Sequence, residues 1–137
     1  MPRYTPIHFD VPIKSIQSEL LDFRWRADGI TSDFLIPGDE DHVLQVRFGR
    51  VEVVRLLDEM ALSTEDENTP NEGLIPDHLA YLVDGALFWS SQSEVLKLVR
   101  PTARHYRLIT GWTCIDIISI TEPSFAVTNV SHEGSGE

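Results

Sequence analysis

Four dipeptides constrain this fold more than any other feature of the chain. Asp28-Gly29, Gly49-Arg50, Asp84-Gly85 and Gly111-Trp112 each divide two runs of apolar or β-branched residues. Asp-Gly suits a type I′ turn and glycine at the first central position suits type II′, and both turns match the twist of paired strands. The flanking runs are strand-length: 21–27 and 30–36, 43–48 and 51–57, 79–83 and 86–89, 106–110 and 113–118. A chain of β-hairpins follows, its first four strands in an antiparallel meander. Phe23, Trp25 and Ala27 alternate with Asp22, Arg24 and Arg26, and Val46 and Phe48 alternate with Gln45 and Arg47. That period of two marks strands with one covered face. Pro37-Gly38-Asp39-Glu40-Asp41 reads as a polar turn between the second and third strands. Val51 to Leu57 alternates poorly, as expected of a strand covered on both faces.

One short helix is expected near residues 92–100. Ser91-Gln92-Ser93-Glu94 has capping-box form, Val95, Leu96 and Val99 share a helical face, and Pro101 ends the run. Leu96-Lys97-Leu98 also alternates, so a strand is the competing reading. Pro2, Pro6 and Pro12 make residues 1–17 an extended N-terminal arm. Residues 58–77 read as a long acidic loop and 129–137 as a flexible tail. The expected fold is one mainly β domain over residues 1–128, with about eight antiparallel strands forming a curved sheet, a sandwich or a barrel. An apolar share of 42% over 137 residues is enough for one core.

Charge narrows the partners. Twenty-two acids against eleven bases give a formal −11, which disfavours phosphate backbones and anionic membranes. Twelve of the acids lie in 39–41, 58–77 and 129–137, stretches without Lys or Arg, leaving ten acids against eleven bases elsewhere. The picture is a near-neutral β body carrying acidic loops. The single cysteine, Cys114, excludes an internal disulfide. With no secretory signal pattern and no apolar run of membrane-spanning length, the expected location is cytoplasmic.

No nucleophile elbow, phosphate-binding glycine loop or paired-histidine zinc motif is present. The reading therefore leans away from an enzyme and implies no cofactor. Four weaker features remain. His42, His78 and His105 each precede an odd-numbered expected strand, so they could share one rim beside Asp41 and Asp77 and hold a transition metal. Separate strand-entry histidines are the alternative, since alternate strands lie about 9–10 Å apart. Lys97, Arg100, Arg104 and Arg107 form a basic strip suited to an anionic ligand or to an acidic loop. Trp112 stands at a hairpin tip, where it should be exposed and able to anchor a partner, while Phe88 and Trp89 should point to opposite faces of one strand. Cys114 should lie opposite Ile109, away from His105, as a buried thiol rather than a nucleophile.

The segments His105–Thr110 and Cys114–Ser119, followed by Glu122-Pro123, resemble the C-terminal part of small uncharacterised bacterial proteins. Some similar small acidic proteins are immunity proteins of bacterial toxin systems. The resemblance covers only this C-terminal segment. It implies a bacterial origin and carries no site residue with it.

The functional expectation is a non-catalytic protein-interaction module, of immunity or inhibitor type, binding a basic partner. Its candidate contacts are Asp58, Glu59, Glu65, Asp66, Glu67 and Trp112, with Arg100, Arg104 and Arg107 on the basic strip. The alternative is a β domain that binds a small anion, with Arg107 or Arg24 meeting a ligand carboxylate. A metal-dependent enzyme using the histidine rim is the third reading, and self-association is compatible with any of them.

Overall fold

A computed structural model describes residues 2–11, 13–58 and 72–129. Their strands are β1 (Arg3–Pro6), β2 (Leu20–Arg26), β3 (Gly29–Ile36), β4 (Asp39–Phe48), β5 (Val53–Asp58), β6 (Ala80–Asp84), β7 (Arg104–Ile109), β8 (Thr113–Ser119) and β9 (Ser124–Asn129). They build a five-stranded sheet in the order β1-β6-β7-β8-β5 and a four-stranded sheet in the order β2-β3-β4-β9, every pairing antiparallel. Apolar side chains from both sheets share one core: Phe34, Leu44, Val46 and Phe48 meet Tyr106, Leu108, Ile115 and Ile117. The fold is thus a two-sheet sandwich, and the described strands close no barrel. No helix among the described residues is long and apolar enough to cross a membrane.

The alternation read from sequence is visible in β4, where Val46 and Phe48 are buried and Gln45 and Arg47 are not, but not in the edge strand β2, where Trp25 is exposed and Arg24 half-buried; β3 alternates as well. β8 differs, because all of Cys114 to Ser119 is buried. Its inner face meets the core and its outer face lies under α1 (Leu87–Ser90), which is followed by a second short helix, α2 (Glu94–Val99). Phe88 of α1 packs with Ala103 and Ile118 there. Burial on both sides explains why β8 reads as a nearly continuous apolar run.

Three turn expectations need correction. β5 does not extend the meander of β2, β3 and β4. It crosses to the other sheet and pairs with β8, so Gly49-Arg50 is a crossover and not a hairpin turn. Residues 86–89 are not a strand after Asp84-Gly85. Gly85 takes the left-handed φ of 82° and the chain enters α1 instead, which leaves Phe88 buried and Trp89 half-buried. At the first hairpin Arg26 pairs with Gly29, so Ala27-Asp28 forms the turn, one residue earlier than expected. Gly29 has φ 125°, and a Cβ there would collide with the Phe48 carbonyl oxygen.

The helix near 92–100 is α2, but its cap is Ser93, whose hydroxyl accepts from the Leu96 amide at 3.1 Å. Ser91, the residue expected to cap, hydrogen-bonds back to Phe88 instead. The N-terminal arm is partly a strand: β1 joins the edge of the five-stranded sheet. Beyond it Ile7, Phe9, Val11 and Ile13 pack against the core. Residues 59–71 of the acidic loop and 130–137 of the tail lie outside the described residues.

Candidate functional site

One carboxylate organises the outer face of the five-stranded sheet. Asp116 of β8 registers with Arg107 of β7 on one side and Arg55 of β5 on the other, so all three side chains share that face. Its Oδ1 accepts from Arg107 Nε and His105 Nε2, both at 2.6 Å, and its Oδ2 accepts from Arg55 at 2.7 and 3.1 Å. Arg107 also donates to the Tyr4 hydroxyl at 2.6 Å, which ties β1 to the cluster. Phe88 roofs it, with the Arg55 guanidinium 4.4 Å from its ring centre and His105 packed alongside.

The electrostatics follow from burial. Desolvation alone would raise the Asp116 pKa, but the His105 hydrogen bond and the Arg107 charge outweigh it and hold the carboxyl at about 2. Burial pulls His105 down, with Asp116 opposing. The ring is therefore neutral at pH 7 and donates Nε2–H to the carboxylate. Its Nδ1 is buried without a hydrogen bond among the described residues. Burial also acts to lower Arg107, and the Asp116 charge more than offsets this, so the guanidinium stays charged. A carboxylate saturated by donors is a poor base and a poor nucleophile. Cys114 registers with Ile109 as expected, whereas His105 registers with Ile118, so no thiol–imidazole pair forms. The cluster braces strands.

The histidine rim is not assembled. His42 lies within β4 of the other sheet, 3.0 Å from Asp39. His78 bonds the Ile7 carbonyl at 2.8 Å, and His105 belongs to the buried cluster. Among the described residues no group of three His, Cys, Asp or Glu side chains could hold a metal ion. The basic strip is also dispersed. Arg107 is buried on Asp116, Arg100 bonds Glu52 at 3.3 Å, Lys97 lies 5.5 Å from the Trp89 ring centre, and Arg104 is exposed at the start of β7. The strip begins on α2 and ends in β7, so closeness in sequence did not mean a shared face.

What the fold does bring together is an acidic pole. The 3₁₀ turn Ser15–Gln17 crosses the end of the sandwich. The Ser15 amide bonds the Asp77 carbonyl, and the Ile16 carbonyl lies against Gly111 so closely that a Cβ would not fit. Gln17 lines a surface depression with Ile13, Lys14 and Pro37. The Glu19 carbonyl accepts from Leu35 at the end of β3. This turn thus links the tip of the β7–β8 hairpin to the tip of the β3–β4 hairpin. Asp58 ends β5 in register with Thr113, next to Trp112.

Trp112 is held out on a rigid support. The buried Thr110 hydroxyl accepts from the Trp112 and Thr113 amides at 3.1 and 2.8 Å and donates to the Thr113 carbonyl at 2.9 Å. The side chain is 67% exposed, and Ile16 beside the tip is 68% exposed. Glu19, Asp39, Glu40, Asp41, Asp58 and Asp77 lie at this end of the molecule, with Lys14 the base among them. Of the expected contacts, Trp112 and Asp58 meet here, and Glu59, Glu65, Asp66 and Glu67 lie outside the described residues. Ile16 was missed. Its signal was an isolated apolar residue between Ser15 and Gln17 in a segment without strand alternation. No protein-family model, curated protein or solved structure matches the chain.

Proposed function

We propose that this chain is a non-catalytic protein-interaction module that binds a basic protein through the acidic pole. The observation that carries this reading is Trp112, exposed on a hydrogen-bonded hairpin tip beside Ile16 and Asp58, at the end of the molecule to which the Ser15–Gln17 turn also ties Asp77 and Glu19. A large aromatic side chain on a preorganised support costs little entropy to bury, and such residues anchor interfaces. The acids would steer a basic partner and set its orientation. Occlusion of a basic enzyme or toxin, as an immunity or inhibitor protein does, is the version that best fits a near-neutral body whose acids are concentrated in its loops. The test is capture from lysate with wild type and with Trp112→Ala, each at low and high salt. The reading requires a basic protein retained by wild type, released by salt and lost with the variant. Retention indifferent to both changes overturns it.

A second reading is favoured by a shallow depression on the outer face of the four-stranded sheet, where Arg24, Arg26 and Arg47 converge with Thr31 and Gln45. Arginine forks suit a small carboxylate or phosphate. Asp22 and Asp33 already engage Arg24, and Asp28, also in the lining, lies 4.0 Å from Arg47, which weakens the site. Thermal-shift screening with small anions tests it: a ligand stabilises by mass action, and Arg26→Ala and Arg47→Ala should abolish the shift. A silent screen removes this reading.

A further inference from the structure

We infer that the free edge of β2 pairs with the β2 edge of a second copy, giving a two-fold dimer with a continuous eight-stranded sheet. Among the described residues β2 pairs only with β3. An unpaired edge is a template for another strand, and edges in monomers are usually blunted by charge or proline. β2 carries Asp22, Arg24 and Arg26 and a register shift between Leu20 and Asp22, yet it also exposes Leu21 and Trp25, at 47% and 52%. Trp25 registers with the buried Ile30 and Phe23 with the buried Ser32, so both aromatic side chains belong to the core-facing side. Trp25 is nevertheless half-exposed, at the edge where β2 has no strand partner among the described residues.

The order Leu21-Asp22-Phe23-Arg24-Trp25 is self-complementary. An antiparallel two-fold centred on Phe23 sets Asp22 against the second copy's Arg24 twice and Phe23 against its counterpart, and brings Leu21, at the register shift, near the second copy's Trp25. Centring on Arg24 sets the two Arg24 side chains against each other at the centre, although Asp22 then faces Arg26, and a shift by one residue sets aromatic against charged side chains. The Phe23 register is the one of the three with no like-charge pair and no aromatic–charge pair. Backbone parity agrees. Arg26 and Gly29 close the two-residue turn and face one another, so Phe23 and Trp25 present their amides and carbonyls to the free edge. Leu20 to Arg26 holds one acid and two bases in a chain of formal charge −11, so the edge is a place where two copies can approach. A contact that repeats the same patch on both copies closes on itself.

Sedimentation of the full chain over a concentration series tests this. Wild type is expected to show a reversible monomer–dimer equilibrium. Trp25→Lys should weaken it about tenfold or more while leaving the circular dichroism spectrum unchanged and the thermal melt of the dilute, monomeric chain close to wild type. The chains Asp22→Arg and Arg24→Glu should each stay monomeric alone and form a heterodimer when mixed, because only the mixture restores opposite charges at both pairs. A wild type that is monomeric at every concentration overturns the inference. So does a dimer unaffected by Trp25→Lys, or one that survives in each charge variant alone.

Discussion

Asp116 and Arg107 meet at 2.6 Å on the outer face of the five-stranded sheet, and neither side chain is exposed. Arg55 reaches the same carboxylate from β5 and Tyr4 reaches Arg107 from β1. One buried charge therefore couples both edge strands of that sheet to its centre.

Removing that charge should be severe. Asp116→Asn keeps the shape but leaves the buried Arg107 guanidinium without its anion. Breaking one side of a buried pair costs about 3–5 kcal/mol. Urea unfolding should show a lowered midpoint with an unchanged slope. A loss below about 1 kcal/mol would mean that the pair is solvated in solution.

Acid should weaken the protein in two stages. The folded-state pKa of His105 lies below its unfolded value of 6.5, so the unfolded chain takes up that proton first and stability falls as the pH drops below about 6.5. Asp116, at about 2 against 3.8 when unfolded, contributes stability that is complete above 3.8 and lost as the pH falls towards 2. Unfolding midpoints between about pH 7.5 and pH 5 isolate the first stage. His105→Gln can still donate to Asp116 but does not titrate, so its profile should be flatter over that interval. An equally steep profile in the variant would assign the acid sensitivity to another group.

The hairpin dipeptides explain how much of the fold was legible. A dipeptide reports local backbone geometry, and at Gly111-Trp112 that was sufficient: Ile109 pairs with Cys114 as expected. Gly49-Arg50 has no such guarantee, because a turn does not encode whether the chain re-enters the same sheet. Here β9 takes the edge of β4 and β5 takes the edge of β8, where it is not covered on both faces as expected, since Leu56 is 45% exposed. Asp84-Gly85 failed for a related reason, since a left-handed glycine suits a helix entry as well as a hairpin. The Asp116 cluster was hidden because Arg55 lies 61 residues away in sequence. The readable clue was a lone acid inside Cys114-Ile115-Asp116-Ile117-Ile118, which in a strand buried on both faces must be paired.

Two glycines with left-handed backbones should respond differently to alanine. Gly38 has φ 85° and open space around an added Cβ, so Gly38→Ala should cost only the conformational penalty of about 1–2 kcal/mol. Gly29→Ala adds a collision with the Phe48 carbonyl oxygen to a φ of 125°, and must move β4 or the turn. Its thermal midpoint should fall clearly further than that of Gly38→Ala. Equal losses would show that the first hairpin relaxes freely.

The cap of α2 separates the two serines. Ser93→Ala removes the acceptor for the Leu96 amide and should cost about 1 kcal/mol. Ser91→Ala removes a bond to the Phe88 carbonyl made by an exposed residue and should stay within about 0.5 kcal/mol. Paired denaturation curves decide it, and a larger loss for Ser91 would put the helix start two residues earlier.

Trp112 and Ile16 should matter to binding and not to folding. Both are about two-thirds exposed, and the tip is held by Thr110 rather than by either side chain. Trp112→Ala and Ile16→Ala should therefore leave the unfolding free energy within about 0.5 kcal/mol of wild type. A central interface tryptophan typically costs about 2 kcal/mol or more on truncation, some thirtyfold in affinity, and a smaller aliphatic contact less. Titration of the captured basic protein should thus rank wild type above Ile16→Ala and Ile16→Ala above Trp112→Ala. Added salt should weaken all three, because the surrounding acids contribute to encounter whichever apolar anchor remains. Thr110→Val is the sharper probe. It keeps Trp112 but removes the hydroxyl that accepts both tip amides, so affinity should fall through loss of preorganisation with the apolar anchor still present. If Thr110→Val loses stability yet binds as wild type, the rigid presentation of Trp112 is not what the partner reads.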